Sequence, residues 1–408
     1  MEETIKVGDY IIVQRQNYTK LHKLKGHGTI LLGSFNIEMD NCIGERYFDT
    51  FQIKNVPNSK RNYTLEKIEN LSLVSSNLNV EESGNDNRNI EADDNNQTMS
   101  SEEINKMKDE ELSSNNIVEK LISNSKTFST KTGFSQEKYI KKKSKKYCEY
   151  IQIRRPSIRL MAQMFYRQDP AKILGIRIDD LSQILTYSNI QSEGTHVLYD
   201  SGTSGLMSAA LMETIGPNTT GKLIHMHPGN ECQKVAFLAM EYPEEQRKRC
   251  INVNLYSVLR QFYQGNPGEG DSIEPNEQSS NAENQVTEEP DAKRRKVERP
   301  NWQVDNEEAC ELLKKGVHSI VITAKEHPVN IVDALEPFLL PSRNLVVFST
   351  FKEPLEELYF HLKTKLNYLA VKLSTNFMRN YQVLPERTHP EVNMTNGGYL
   401  LTGIKIEQ

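Results

Sequence analysis

Residues 195–229 read THVLYDSGTSGLMSAALMETIGPNTTGKLIHMHPG and bring together the residue types that chemistry would need. An apolar run, His196 to Tyr199, ends at Asp200, and a turn of small residues follows from Ser201 to Gly205. An apolar helical pattern then runs from Leu206 to Ile215, Gly216-Pro217 stops it, and Lys222 to Met226 reads as a second strand. Strand, glycine turn, helix and strand make a βαβ unit, and its first turn is where such folds receive a nucleotide. A working pocket of this kind has Asp or Glu about 20 residues past the glycines to hold the ribose hydroxyls. Here His227-Pro228 stands at that place, with no carboxylate from Lys222 to Asn230. The scaffold of a cofactor enzyme is expected, with Asp200, Gly202, Gly205 and His227 as a degenerate version of its turn.

Further groups compete for a chemical role. The buried-type strand Ser319–Thr323 runs into Ala324-Lys-Glu-His-Pro328, at the carboxyl edge where α/β folds keep their chemistry. Lys325 and His327 are cations or donors there and suit a phosphate. His225 and His227 share a strand face and could begin a zinc site, but no third ligand of suitable type stands near, so no metal is expected. No Ser-His-Asp or Cys-His arrangement has supporting context. The five cysteines form no CxxC pair and leave an odd count, which fits reduced thiols in an intracellular protein.

A different chemistry is written at 138–147. Six lysines (Lys138, Lys141, Lys142, Lys143, Lys145, Lys146) share ten residues with Tyr139 and Tyr147. The whole chain carries 50 basic against 55 acidic residues, a net charge of −5, so a nucleic-acid partner must be met by local patches. Lysines neutralise phosphates and release counterions, and tyrosines stack on bases. RNA backbone contact is the reading adopted; a solvated helix face or an import tract is the alternative. Arg177 is a second phosphate candidate, with surface salt-bridging as its alternative. Lys20, His22, Lys23, Lys25 and His27 crowd one connection that reads as an exposed loop, with an RNA phosphate contact as the alternative.

The elements that must position these groups fall into parts. Residues 1–76 show short strand-like runs between Gly, Asn and Lys clusters, which predicts a small β-barrel-like domain. Residues 77–100 are acidic and polar and read as a disordered linker. Residues 101–149 read as a helical connector, with capping-box spacing from Ser100 to Glu103 and the lysine tract at its end. Tyr150–Arg155 reads as a strand entering the next domain, an α/β domain over 150–263 and 301–408 that closes with an antiparallel hairpin from Tyr381–Leu384 to Tyr399–Ile406. Residues 264–300 read as a disordered insert ending in the basic tetrad Lys293–Lys296, which resembles an import signal. The N-terminal residues carry no signal-peptide pattern and no apolar run spans a membrane, so a soluble intracellular protein is expected.

The chain resembles the non-catalytic subunit family of the eukaryotic tRNA (adenine-N1) methyltransferase. The carrying stretches are Phe134–Lys143 with Lys145–Tyr147, Arg379–Arg387 with His389-Pro390, and Gly397–Gly403, beside the glycine turn. The resemblance implies an N-terminal β-barrel and a Rossmann-like class I methyltransferase fold. It also implies a nuclear 2+2 heterotetramer with a homologous catalytic subunit, which binds S-adenosylmethionine and forms 1-methyladenosine at tRNA position 58. That sister carries three glycines in its turn, whereas Asp200–Gly205 has two and is one residue shorter. With His227 at the ribose position and no Asp after Thr323, where adenine-N1 transfer wants a proton acceptor, no cofactor and no catalysis are expected in this chain. Its role would be assembly and tRNA capture, through the lysine tract, Arg177, Lys325, His327, Arg379 and Arg387. Two alternatives remain: a competent S-adenosylmethionine-dependent RNA methyltransferase, and an RNA-binding translation factor with no enzymatic partner.

Overall fold

The computed structural model describes residues 3–33, 35–56, 62–68, 98–100, 103, 107, 114–147, 150–265, 300–384, 387–391 and 397–407. The strand-like run at 71–74, Arg88, most of the 77–100 linker, Cys148 and the tetrad 293–296 lie outside them. The chain divides into two compact units, Met1–Pro156 and Ser157–Gln408.

The first unit is built on β1 (Tyr10–Arg15), β2 (Tyr18–Lys23), β3 (Thr29–Leu32), β4 (Phe35–Glu38), β5 (Thr50–Asn55), β6 (Asn62–Lys67) and β7 (Tyr150–Arg154). They form one sheet in the order β2-β1-β7-β5-β6-β4-β3. Its two edges meet where the Lys20 ammonium donates to the Leu31 carbonyl at 2.8 Å, giving a nearly closed barrel. Ile11, Val13, Phe51, Leu65, Ile151 and Ile153 fill its interior.

Two expectations fail in this unit. Lys20, His22 and Lys23 lie on β2, paired with β1 from Tyr10↔Lys23 to Arg15↔Tyr18, so they are not on a loop. Residues 150–154 do not enter the second domain; they slot between β1 and β5. The cause is visible in the residues. Ile151 and Ile153 are buried while Gln152 and Arg154 are half-exposed, the alternation of an antiparallel strand with one wet face. The connector 101–149 is therefore an excursion from the barrel, and the unit boundary lies at Pro156. Within that excursion, α1 (Ser114–Ser123) and α2 (Gly133–Tyr147) pack through Val118, Leu121 and Ile140. The capping box forms: Ser100 N–H donates to Glu103 at 2.9 Å and Glu103 N–H to the Ser100 hydroxyl at 3.2 Å.

The second unit begins with α3 (Ile158–Gln168), α4 (Ile178–Ser188), β8 (Thr195–Asp200), α5 (Leu206–Ile215) and β9 (Lys222–His227). It continues through α6 (Val235–Ala239), α7 (Glu244–Lys248), β10 (Cys250–Asn254), α8 (Leu255–Gln264), α9 (Asn301–Lys315) and β11 (Val317–Thr323). The last elements are α10 (Pro328–Leu335), β12 (Leu339–Ser349), α11 (Glu353–Lys365), β13 (Tyr368–Thr375), β14 (Tyr381–Leu384), β15 (Arg387–Pro390) and β16 (Tyr399–Lys405). The main sheet runs β10-β9-β8-β11-β12-β16-β13. Its first five strands are parallel and β16 lies antiparallel to both neighbours. In β8, β9 and β11 nearly every residue is buried, as expected of strands covered by helices on both faces. The strand order reverses between β8 and β11, so the crevice of the fold opens at their carboxyl ends.

The closing hairpin differs from expectation. β16 pairs with β13, whereas Tyr381–Leu384 pairs with Arg387–Pro390 in a separate two-stranded arm. Tyr368–Thr375 alternates weakly, with the burial of an edge strand, and its apolar signal is correspondingly diluted.

Candidate functional site: a closed cofactor corner

The crevice holds the glycine turn, and its polar groups face inward. Asp200 ends β8 as a buried carboxylate. One oxygen accepts the backbone N–H groups of Gly202 and Thr203, both at 2.9 Å, and the other accepts the Thr203 hydroxyl. The acid that opens the turn thus caps its own loop. Gly205 starts α5 at φ +78°, and a Cβ there would lie 2.8 Å from the Gln233 carbonyl oxygen. Close backbone packing explains that glycine without any ligand.

The neighbouring strand closes the ribose side. His227, at the end of β9, holds the Gly229 carbonyl with Nδ1 at 2.8 Å, and Asn254 donates to the same carbonyl at 2.9 Å. Because a carbonyl only accepts, Nδ1 carries the proton. Burial lowers the His227 pKa, so the ring is held neutral. A ribose diol wants a paired acceptor, and this corner presents a neutral ring committed to the backbone. His225 is more deeply buried, with its pKa also lowered by burial; its Nε2 lies 3.8 Å from Asp200. On its other side Nδ1 meets the Asn252 amide oxygen at 3.1 Å and the Cys232 sulfur at 3.2 Å. The Cys232 contact was not legible in the sequence, since it depends on how the loop after β9 folds back. The Asn252 contact follows from the β9–β10 register, in which His225 faces Asn252. Burial raises the Cys232 thiol to about 12, so it is no ready nucleophile. Among the described residues no group of three acidic, His or Cys side chains could hold a metal.

Lys325 completes the corner. Its backbone N–H donates to the Ser201 hydroxyl at 2.7 Å, and Ser201 N–H donates to the Thr323 carbonyl at 3.2 Å. These bonds tie the loop after β11 to the glycine turn. The Lys325 ammonium then lies 3.7 Å from where a Cβ on Gly202 would stand. S-adenosylmethionine carries a cationic sulfonium, and the residues here do not fit it: the turn's acid is consumed, the ribose acid is absent, and a cation faces the glycine.

The chain matches the model of the Gcd10p family over residues 4–298. It belongs to that family. It is 31% identical to the tRNA (adenine(58)-N(1))-methyltransferase non-catalytic subunit of Dictyostelium discoideum, over 98% of this chain and 79% of that protein. Identity to the Mus musculus protein of the same description is 29%, covering 99% and 89%. Among solved structures, a SAM-dependent O-methyltransferase from Thermotoga maritima shares the fold at 12% identity and TM-score 0.50, covering 99% of this chain and 96% of that one. The Gcd10p-family chain thus carries a class I methyltransferase fold behind a barrel-like domain, as the resemblance implied.

The proposed phosphate contacts meet different surroundings. Arg177 is a correction: only 3% exposed, it lies against Asp179 at 2.6 Å and donates to the Asn376 carbonyl at 3.2 Å. An arginine buried on carboxylates is not free to meet a phosphate. His327 precedes α10 and pairs with Glu357 at 3.0 Å, while Lys325 is exposed at the glycine turn. Arg379 is exposed and lies over the Phe377 ring at 5.3 Å. Arg387 opens β15, and its side chain lies outside the described residues.

The lysine tract forms the C-terminal two-thirds of α2, in the other unit. Lys138, Lys141, Lys142 and Lys145 fall at i, i+3, i+4 and i+7, the spacing of one helix face. Lys138 and Lys142 are exposed, and Lys143 lies 5.2 Å from the Tyr139 ring. The side chains of Lys141, Lys145, Lys146 and Tyr147 lie outside the described residues.

Proposed function

We propose that this chain is the substrate-binding, non-catalytic subunit of a tRNA (adenine-N1) methyltransferase that modifies position 58. The observation that carries the reading is the closed cofactor corner: Asp200 caps its own turn, His227 is neutral at the ribose position, and Lys325 faces Gly202. Membership in a family whose relatives are named non-catalytic subunits supports it from a separate direction. S-adenosylmethionine and the flipped adenine would belong to a homologous catalytic partner, and a 2+2 assembly in the nucleus is part of the proposal.

The chain's own residues would supply grip and assembly. The α2 face of Lys138, Lys141, Lys142 and Lys145, with Lys143, Lys146 and Tyr147 nearby, neutralises tRNA phosphates and reads shape, not sequence. The partner is assigned to the arm of β14 and β15. Phe377, Tyr381 and Val383 there are 83%, 53% and 76% exposed, and among the described residues the two strands pair only with each other.

The test is co-expression with the homologous catalytic subunit, then methyl transfer to tRNA by each chain singly and by both together. Transfer is expected from the pair and from neither chain alone. Micromolar binding of S-adenosylmethionine to this chain by itself, measured by calorimetry, overturns the reading.

A further inference from the structure

We propose that Arg177 is a positioning residue for assembly: it mounts the β14–β15 arm and sets the direction in which the arm leaves the domain. This inference rests on the reading that the arm engages the catalytic partner. Arg177 directly precedes α4, and its N–H donates to Asp180 at 3.2 Å, as the helix cap requires. Its guanidinium grips Asp179 with two bonds, Nε to Oδ1 at 2.9 Å and Nη2 to Oδ2 at 2.6 Å. Nη2 also donates to the carbonyl of Asn376, the residue at which the chain leaves β13 for the arm. The Asn376 side chain donates to Asp180 at 3.0 Å, so the outgoing stem is held by both the arginine and its carboxylate. The returning stem passes the same group. A Cβ on Gly397 would lie 2.7 Å from Nη2 and 3.0 Å from the Asn376 carbonyl oxygen. Both stems of the arm therefore rest against one buried guanidinium.

The sheet does not need this network to close. Just beneath it, β13 and β16 are already paired through Thr375↔Tyr399, and the Thr375 hydroxyl donates to the Gly398 carbonyl at 3.0 Å. A buried arginine with two carboxylates is a poor way to gain stability, since apolar groups of similar volume do as well or better. What such a network supplies is geometry: a planar fork with fixed bond directions, here aimed at a backbone carbonyl of the arm. An arm with large apolar side chains must meet its partner at one angle, and a swinging arm would lose affinity to ordering entropy.

The test uses the co-expressed complex. Arg177→Lys keeps the charge but cannot hold Asp179 in two bonds and the Asn376 carbonyl together. The dissociation constant between the subunits is expected to rise about 10-fold or more. Amide exchange should quicken across 377–391 and stay unchanged in β8 and β11. Asn376→Ala, which leaves Arg177 in place, should give a smaller change in the same direction and serves if the lysine variant does not fold. If the wild-type chains assemble and both variants match them in affinity and arm exchange, the inference is overturned. If the wild-type chains do not assemble at all, the proposed function itself has failed.

Discussion

The turn after β8 and the helix α2 are both rich in polar side chains, yet they spend them in opposite ways. At the turn, Asp200, His227 and Ser201 are satisfied within the chain, and an exposed cation, Lys325, lies beside Gly202. In α2, a small apolar contact through Ile140 holds the helix while Lys138 and Lys142 face outward. Desolvated polar groups with partners stabilise a fold; solvated cations without acidic partners are available to a ligand. The difference teaches where the proposed function puts binding. In that proposal the corner that the fold reserves for a small molecule is structural, and a helix outside that fold carries the charge suited to a polyanion.

The comparison breaks most readily at the lysine helix. Replacing Lys141, Lys142, Lys143, Lys145 and Lys146 by Gln in the reconstituted complex should weaken tRNA binding by about 1,000-fold at low salt. The log–log salt slope should fall by about 3 to 5. Filter binding across a salt series reads both. An unchanged slope would show that these lysines meet no phosphates, and the outward half of the comparison would fall.

The inward half is tested at Asp200. Asp200→Ala strands the N–H groups of Gly202 and Thr203 and the Thr203 hydroxyl, all in a buried turn. A loss of about 3 kcal/mol in unfolding free energy is expected, read by urea melts, with tRNA affinity in the complex unaltered. A variant that is as stable as wild type but poor at binding a small molecule would mean the carboxylate serves a ligand after all.

Much of this contrast was legible in the residues, for physical reasons that differ by place. The βαβ unit announces itself because β8, α5 and β9 are largely buried and read as mostly apolar runs between Gly and Pro stops. The missing ribose acid needs only the identity of His227. Where sequence reading failed, long-range pairing decided. Strand β7 joins a sheet whose other members lie about a hundred residues earlier, and only its Ile-Gln-Ile-Arg alternation hinted at that. Arg177 looked like a surface cation because one of its partners, the Asn376 carbonyl, is 199 positions away. The Lys325 approach to Gly202 likewise depends on β8 and β11 lying side by side, which the fold class implies, and on a loop conformation, which it does not.

A smaller effect sharpens the inward half, at the opposite end of β8. His196 is fully buried, with Nδ1 2.8 Å from the Ser319 hydroxyl and Nε2 3.0 Å from the Gln191 carbonyl. Burial lowers its pKa from 6.5 to about 4, helped by His318 and Arg343 and opposed by the bond to Gln191. The unfolded chain therefore takes up a proton near pH 6.5 that the folded chain refuses until about pH 4. Stability from this group is complete above pH 6.5 and is lost as pH falls through the window below it. By pH 5 the loss should reach about 2 kcal/mol. His196→Asn removes the titrating group, so its urea midpoint should depend less on pH between 7 and 5 than that of wild type, even if the variant is less stable throughout. Equal pH dependence in the two proteins would place the acid sensitivity elsewhere, with His225 and His227 next in line, because burial lowers both of their pKa values too. That outcome would move the acid response from the amino end of the parallel strands to the cofactor corner, and so make the corner a titrating site instead of a purely structural one.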